Sequence, residues 1–388
     1  MRVPLKYNWR SLFVRRGTAL LTIASVAFVV VVYEGVLSLA GGLRRAFGAS
    51  GEPENVVVLR EGAQSETTSY FDLERGRQAM NLPGVVRDGS GRPLGSGEVL
   101  ILQNLERADG TMTNVTVRGV EPGAFDLRPD LRMVAGRGFE RGRGEVIVGS
   151  RLVGRFPDLA PGGTVTLGEL PFTVVGTFDD GGSAFDSEVW TAVDDVRGAY
   201  RRQGYYSSVL LRAASPSAAR ELADRVEADQ RLKLRALPER AYYALQTAST
   251  SRQFIILGNA LALIMAFGAC FAAANTMYAS IAARTREIAT LRALGFPRRT
   301  LLVAFLIEAG LLGLVAGAVG VVVALPLNLV STGTTNFTTF SEISFSLRTT
   351  PGILAGGILL AVLTGVLGGL PPAWSAARMG IARGLRAP

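Results

Sequence analysis

The chain has 388 residues, of which 48% are hydrophobic and 19% charged, so it can form two or three folding units and is apolar for a soluble protein. It contains no histidine, which excludes Ser-His-Asp and Cys-His catalysis and every histidine-ligated metal site. The formal net charge is +9, but residues 41–252 hold 27 basic and 28 acidic groups. The basic excess therefore lies beside the long apolar runs, which indicates membrane orientation and no nucleic-acid partner.

Four runs are long and apolar enough to span a bilayer, which requires about 20 residues. They lie within residues 18–39, 253–283, 301–330 and 349–377. The first is interpreted as an uncleaved anchor, because it is longer than a signal-peptide core and no clear cleavage site follows it. Its one charge is Glu34, and that of the third run is Glu308. Carboxylates at membrane depth are costly, so both are candidates for function or helix assembly, or for simple pairing with a neighbouring helix.

Lysine and arginine concentrate in three of the segments that flank these runs. They precede the first run, crowd the loop between the second and third, and follow the fourth: Lys6, Arg10, Arg15, Arg16, Arg284, Arg286, Arg292, Arg298, Arg299, Arg378, Arg383 and Arg386. The positive-inside rule then places both termini in the cytoplasm and residues 41–250 outside it. The predicted fold class is an integral membrane α-helical protein with four transmembrane helices and an α+β extracytoplasmic domain inserted between the first and second.

Residues 41–250 have the composition of a soluble mixed domain. Apolar or alternating runs predict strands at 55–60, 98–102, 113–120, 145–148, 188–193 and 207–212, and a hairpin from 164–167 and 172–178. Helices are predicted at 150–156, from Ser215-Pro216 onward, and from Pro238 without a break into the second span. The carboxylate pairs Asp179/Asp180 and Asp194/Asp195 are interpreted as solvated loop charges, in preference to a catalytic pair or a metal site.

Glycines recur at helical spacing in the third and fourth spans. Small residues at this spacing let helices approach closely, within one chain or between two copies. The predicted helix-packing positions are Gly313, Gly317, Gly320, Gly352, Gly356, Gly365 and Gly369.

The loop at 280–299 predicts a short amphipathic helix capped by Gly295, with Pro297 two residues on. Ile281, Ile288 and Leu291 form its apolar stripe. Two interpretations are open: a helix resting on anionic lipid, or one that fits a groove on a cytoplasmic partner.

Residues 274–295, from Ala274-Asn275-Thr276-Met277 to Leu294-Gly295, resemble the corresponding loop of FtsX-like permeases, the MacB- and LolC/LolE-type membrane subunits of ABC systems. Residues 8–12 resemble the amphipathic helix before the first span of that family. Glu308 with its following glycines, and residues 371–378, are similar to its third-span and C-terminal patterns. Residues 144–152 and 171–178 resemble its MacB-like periplasmic core domain.

This resemblance implies a multi-pass protein of the bacterial inner membrane that pairs with a second copy or a similar permease and binds a cytoplasmic ABC ATPase. Membrane lipid surrounds it, and a periplasmic adaptor or outer-membrane component can join it. The helix at 280–299 would then be the coupling helix, with these ATPase-coupling residues: Arg284, Arg286, Glu287, Ile288, Leu291, Leu294 and the cap Gly295. No Gly-x-x-x-x-Gly-Lys-Ser/Thr occurs, so we expect no catalytic site or cofactor here, with ATP and magnesium bound by a partner ATPase.

The leading functional hypothesis is an ABC permease that couples ATP hydrolysis to movement of its extracytoplasmic domain, for export or extraction of a lipid, lipoprotein or peptide. The alternative is a mechanotransmission regulator that activates a cell-wall hydrolase. A receptor or scaffold is a third hypothesis, which leaves the coupling-like loop unexplained.

The predicted organisation follows in chain order. An amphipathic segment at 1–17 precedes transmembrane helix 1 at 18–40, and the extracytoplasmic domain occupies 41–250. Transmembrane helix 2 at 253–279, the coupling loop at 280–299 and transmembrane helix 3 at 300–330 come next. A short outer loop at 331–349, transmembrane helix 4 at 350–372 and a cytoplasmic tail at 373–388 complete the chain.

Overall fold

The structure, a computed structural model, describes residues 16–335 and 342–381. Most of the predicted N-terminal segment, including the motif at 8–12, and the end of the tail lie outside the described residues. So do five of the basic residues used for orientation before the first span and after the fourth: Lys6, Arg10, Arg15, Arg383 and Arg386.

The chain divides into two compact units. The helical unit comprises the described parts of Met1–Gly41, Arg252–Val330 and Leu347–Pro388. The sheet unit comprises Gly42–Ser251 and Ser331–Ser346.

Eight α-helices and fourteen strands occur in the described residues. The helices are α1 (Arg16–Gly48), α2 (Leu73–Met80), α3 (Val193–Ala199), α4 (Pro216–Ala228), α5 (Glu239–Ala283), α6 (Thr285–Ala293), α7 (Arg298–Ala324) and α8 (Pro351–Arg378). The strands are β1 (Asn55–Arg60), β2 (Phe71–Asp72), β3 (Gly95–Glu106), β4 (Met112–Val120), β5 (Arg132–Gly136), β6 (Glu145–Gly149), β7 (Thr164–Leu167), β8 (Leu170–Asp179), β9 (Glu188–Ala192), β10 (Tyr205–Tyr206), β11 (Ser208–Arg212), β12 (Leu234–Pro238), β13 (Ser331–Thr335) and β14 (Glu342–Ser346).

Four helices in the described residues, α1, α5, α7 and α8, are long and apolar enough to cross a membrane. Their number and order confirm the four predicted spans. At 45 residues, α5 would extend about 68 Å at 1.5 Å per residue, about twice the hydrocarbon thickness of a bilayer. The unbroken helix predicted from Pro238 into the second span is therefore present, beginning at Glu239.

The sheet unit is built on a ten-stranded sheet in the order β12-β1-β11-β3-β4-β9-β6-β8-β5, with β7 beside β8. One hydrophobic core includes Val99 of β3, Val117 of β4 and Phe172 of β8. A second core, including Val58 and Leu222, packs α4 against β1 and β11. Eight strands of this sheet coincide with the apolar or alternating runs that predicted them, because alternate positions of a half-buried strand face the core. The other two, β5 and β12, were not predicted.

The predicted hairpin is confirmed as β7 and β8, which pair from Thr164↔Thr173 to Leu167↔Leu170. The predicted helix at 150–156 is wrong. That segment forms successive turns, with Leu152 N–H donating to the Gly149 carbonyl at 3.0 Å and Arg155 N–H to the Leu152 carbonyl at 3.1 Å. Gly154 has a φ of +80°, in the left-handed region, which interrupts a right-handed helix.

Residues 331–349, predicted as a short loop, contain the antiparallel pair β13 and β14. Strand β14 is buried in the sheet unit, with Ile343 5% and Phe345 1% exposed. Their alternation with polar residues over so few positions is too short to distinguish a strand from a loop.

Candidate functional site

The short helix α6 has a buried face and an exposed face. Ile288 is 3% exposed and lies in a cluster with Met277, Leu301 and Ala376 of the neighbouring helices, against which Leu291 is partly buried. The exposed face carries Arg286 and Glu287, and Leu294 just beyond the helix is 68% exposed.

This arrangement corrects one part of the predicted coupling set. Ile288 anchors the helix to its own chain and Leu291 does so in part, because the apolar stripe of a short helix is its means of attachment. Of the predicted set, Arg286, Glu287, Leu294 and Gly295 are exposed.

The end of α6 is fixed by a Schellman motif. Gly295 has a φ of +92°, its N–H donates to the Arg292 carbonyl at 3.1 Å, and the Phe296 N–H donates to the Leu291 carbonyl at 3.2 Å. A residue with a Cβ would be strained at this φ. Glycine therefore favours the turn that ends α6 directly after Leu294. Pro297 then caps the start of α7.

Glu308 in α7 is paired. Its side chain is 6% exposed, and its Oε2 lies 3.4 Å from an Nη atom of Arg284, the residue between α5 and α6. The Arg284 side chain is 17% exposed. Arg284 therefore ties α6 to the third predicted span, and part of its charge is already used within the chain.

Glu34 in α1 lies in different surroundings. It is fully buried, and a Cβ added at Gly357 of α8 would lie 2.3 Å from its Oε1. Among the described residues, neither of its carboxylate oxygens has a hydrogen-bond partner, nor does the hydroxyl of the buried Ser38 one turn later. Gly357 thus provides the space that Glu34 occupies, and the sequence pattern did not single it out.

Four of the predicted glycines lie at the contact between α7 and α8. A Cβ at Gly313 would lie 2.5 Å from the Ala361 carbonyl oxygen, and one at Gly317 would lie 3.0 Å from the Ala361 Cβ. From the other side, a Cβ at Gly365 would lie 2.6 Å from the Ala309 carbonyl oxygen, and one at Gly369 would lie 2.5 Å from the Ala309 Cβ. These contacts are within one chain, the first of the two alternatives left open by the sequence.

The other three predicted glycines differ from one another. Gly320 faces α1, since its Cβ would lie 2.7 Å from that of Val30, and Gly356 faces the Tyr33 hydroxyl at 3.1 Å. Gly352 would meet only the Thr350 hydroxyl at 3.9 Å and makes no close helix contact among the described residues.

The sheet unit contains a buried charge cluster that sequence reasoning missed. The Arg118 side chain is 1% exposed and pairs with Glu98 at 2.6 Å, Glu188 at 2.7 Å and Glu66 at 3.0 Å. Arg128, also buried, pairs with Glu98 at 2.8 Å. Burial alone would raise the pKa of Glu98, but the two guanidinium groups outweigh it and lower that pKa. The available signal was a charged residue inside the apolar strand β4.

The interpretation of Asp179/Asp180 as solvated loop charges is wrong for Asp180. Asp180 is 7% exposed, and burial raises its pKa to about 7. Burial also raises the pKa of the neighbouring Asp186 to about 6, although Asp186 accepts hydrogen bonds from the Asp180 and Gly182 N–H groups at 2.6 and 2.9 Å. The loop folds inward around Asp186 and buries both carboxyls. Its turn-like sequence had suggested an exposed loop.

Four apolar helices, an α/β domain between the first two of them, and a short capped helix between the second and third together define a multi-pass membrane protein with an extracytoplasmic domain. Residues 19–229 match the family model of the MacB-like periplasmic core domain, and residues 259–381 match that of the FtsX-like permease C-terminal region. The chain belongs to this family of MacB-like, FtsX-like ABC transporter permeases.

Curated relatives match nearly the whole chain. The macrolide export ATP-binding/permease protein MacB of Escherichia coli (strain K12) is 27% identical over 97% of this chain and 59% of the relative. The probable syringafactin export ATP-binding/permease protein SyfD of Pseudomonas syringae pv. syringae (strain B728a) is 24% identical over 96% of this chain and 58% of the relative. The chain therefore spans about three-fifths of the length of these relatives.

Two solved structures are similar over about half of the chain. The periplasmic region of MacB from Actinobacillus actinomycetemcomitans has 11% identity and a TM-score of 0.36, covering 48% of this chain and 90% of that one. The extracellular domain of the noncanonic ABC-type transporter YknZ from Gram-positive bacteria has 16% identity and a TM-score of 0.35, covering 47% and 99%.

Proposed function

We propose that this chain is the permease of an ABC transporter in which an ATPase, not contained in these 388 residues, drives conformational change of the sheet unit. The substrate class is a lipid, lipoprotein or peptide, which is exported or extracted on the outer side. The observation that carries the proposal is the two-faced helix α6, anchored by Ile288 and presenting Arg286, Glu287 and Leu294. Because α6 is anchored to its own chain, movement of a bound partner can be transmitted through it to the spans on either side.

The contact chemistry supports a protein partner for α6. The segment that exposes the apolar side chain of Leu294 also exposes the charged Arg286 and Glu287, a mixture suited to a groove with an apolar floor and a polar rim. A lipid surface would instead favour an apolar face toward the bilayer, and that face of α6 is buried in its own chain.

Orientation and assembly belong to the same proposal. The arginines around α6 support a cytoplasmic location for α6 and for both termini, where an ATPase would bind ATP and magnesium. The names of the two curated relatives describe export of a macrolide and probable export of syringafactin, which supports export as the class of activity. Two permease copies, or this chain and a similar permease, would form the complex, and an adaptor or outer-membrane component would join it outside.

The test compares three alanine variants of the full chain in lipid nanodiscs. L294A should weaken binding of the ATPase by about tenfold, the loss expected when an apolar side chain at the centre of an interface is removed. L370A, at an exposed leucine of α8, is the matched control and should bind normally. I288A should lower the thermal stability of the helical unit, because it leaves a cavity in the cluster around α6.

Binding is measured by titrating the purified ATPase against each variant, and stability by thermal unfolding. If L294A binds the ATPase as tightly as the wild type, α6 does not form the contact. If L370A loses binding to the same extent, the effect does not come from the exposed face of α6.

A further inference from the structure

A buried carboxylate is one of the groups that attach the hairpin of β13 and β14 to the rest of the sheet unit. The Glu342 side chain is fully buried. Its Oε2 lies 2.6 Å from an Nη atom of Arg107, which follows β3, and its Oε1 lies 2.7 Å from an Nη atom of Arg155. Two cations from two separate loops therefore converge on one anion.

Those two loops are themselves joined, since the Ala108 N–H donates to the Arg155 carbonyl at 2.9 Å. A second contact holds the middle of β14: the Arg151 guanidinium donates to the Ser344 carbonyl at 2.6 Å, and the Ser344 N–H donates to the Ser187 hydroxyl oxygen at 2.9 Å. The Arg107 Nε also donates to Glu342 Oε2 at 3.0 Å, and Arg155 faces Oε1 as an ion pair, so Glu342 joins the start of β14 to both loops.

The connections that join the hairpin to α7 and α8 are also short. The 3₁₀ turn Leu325–Leu329 that follows α7 ends two residues before Ser331, and α8 begins five residues after Ser346. At about 3.5 Å per residue, these connections reach at most roughly 7 and 18 Å when fully extended. A hairpin fixed to the sheet unit must therefore follow α7 and α8, or strain its linkers, when those helices move.

We propose that Glu342 is a positioning residue that transmits movement between the third and fourth spans and the sheet unit, by locking the hairpin to Arg107 and Arg155. This inference rests on the proposed function, because it concerns how nucleotide-driven movement reaches the extracytoplasmic side. The sheet unit would otherwise be driven through α1 and α5 alone.

The experiment uses the full chain with its ATPase in nanodiscs, with Cys270→Ser removing the one native cysteine. Spin labels at Met112 and Tyr278, which are 58% and 47% exposed, report the distance between the sheet unit and the end of α5. Distances are measured without nucleotide and with trapped ATP. The wild-type pair should shift between the two states, and E342Q, which keeps the shape of the side chain and removes its charge, should lose at least half of that shift.

Controls separate transmission from folding. E54Q breaks the partly exposed pair of Glu54 with Arg212 elsewhere in the sheet unit and should keep the full shift. Glu342→Asp retains the charge and should recover part of it. If E342Q fails to fold, R107Q and R155Q replace it in the test. Each removes one of the two ion pairs of Glu342 at an arginine side chain that is about a quarter exposed, and each should reduce the shift.

The outcomes distinguish this inference from the function on which it rests. A wild-type shift that survives fully in E342Q, R107Q and R155Q overturns the role of Glu342 and leaves the permease function standing. A wild-type complex that binds the ATPase but shows no shift overturns transmission as a whole. A wild-type chain that binds no ATPase overturns the proposed function itself.

Discussion

The interiors of the two units of this protein are held together by different kinds of contact. The sheet unit holds Arg118 among three carboxylates, whereas the helical unit brings α7 and α8 together through glycines that meet backbone carbonyls and alanines. Lipid supplies no hydrophobic force between helices, so close approach of small residues must hold them. In a water-facing domain, a buried charge must instead find its partners across the fold.

Each unit also contains a buried carboxyl that differs from the other carboxyls around it. Within the helical unit Glu308 is paired with Arg284, whereas Glu34 has only the space left by Gly357. Among the described residues of the sheet unit, no guanidinium is paired with the buried Asp180, and burial raises its pKa to about 7. Glu34 and Asp180 are thus buried carboxyls that, in the part of the chain that the structure describes, lack the guanidinium partner of Glu308 and Glu98.

The largest expected effect comes from removing the central cation of the sheet unit. R118M leaves Glu66, Glu98 and Glu188 buried together, and breaking a buried ion pair costs about 3–5 kcal/mol. At roughly 2–4 °C per kcal/mol for a domain of this size, the unfolding temperature of the sheet unit should fall by about 6–20 °C. Fluorescence of Trp190, in a variant lacking the other two tryptophans, measures it.

The matched control is R201M, which breaks the exposed pair of Arg201 with Glu169 and should change the unfolding temperature little. Equal unfolding temperatures for R118M and the wild type would mean that the cluster is not what holds these strands together.

A smaller effect is expected in the helical unit from a single methyl group. G313A places a Cβ 2.5 Å from the Ala361 carbonyl oxygen, and overpacking of this kind costs about 1–3 kcal/mol. G352A meets nothing closer than 3.9 Å and should be neutral or slightly stabilising, since alanine favours helix. Thermal unfolding in detergent, followed by Trp374, compares them, and similar behaviour of the two variants would contradict the packing role of Gly313.

The smallest effect concerns pH and the sheet unit. The folded state favours the protonated form of Asp180, so its stabilising contribution is full below the ordinary pKa of 3.8 and is lost as pH rises through about 7. The unfolding temperature of the wild type should therefore fall by a few degrees more between pH 5 and pH 8 than that of D180N. Asp186, Arg128 and Glu239 also act on this carboxyl. The same pH dependence in both proteins would show that Asp180 does not titrate in this range.

The contrast between the units also explains what the sequence could predict. Uninterrupted apolar runs and glycine spacing are local patterns, so they predicted the four spans and the contacts of Gly313 and Gly365. The cap at Gly295 is local as well, since a turn of left-handed backbone follows from a few neighbouring residues.

The missed features depend on residues far apart in the chain. Arg118 meets Glu66 and Glu188, and Glu342 meets Arg107 across more than two hundred positions, so no periodicity connects them. The burial of Ile288 illustrates the same limit at closer range. Its apolar character was visible, but whether it faced a partner or its own chain depended on how α6 packs against α7 and α8.

Helix α6 is proposed to couple an ATPase to this permease. Affinity purification of the chain from its native membranes, under mild conditions that preserve permease pairs, tests it most directly. The proposal predicts a P-loop ATPase in stoichiometric amount, and a lipid, lipoprotein or peptide recovered with it would support export or extraction, whereas a cell-wall hydrolase would favour mechanotransmission. A preparation that retains permease pairs but contains no P-loop ATPase would contradict the coupling role of α6.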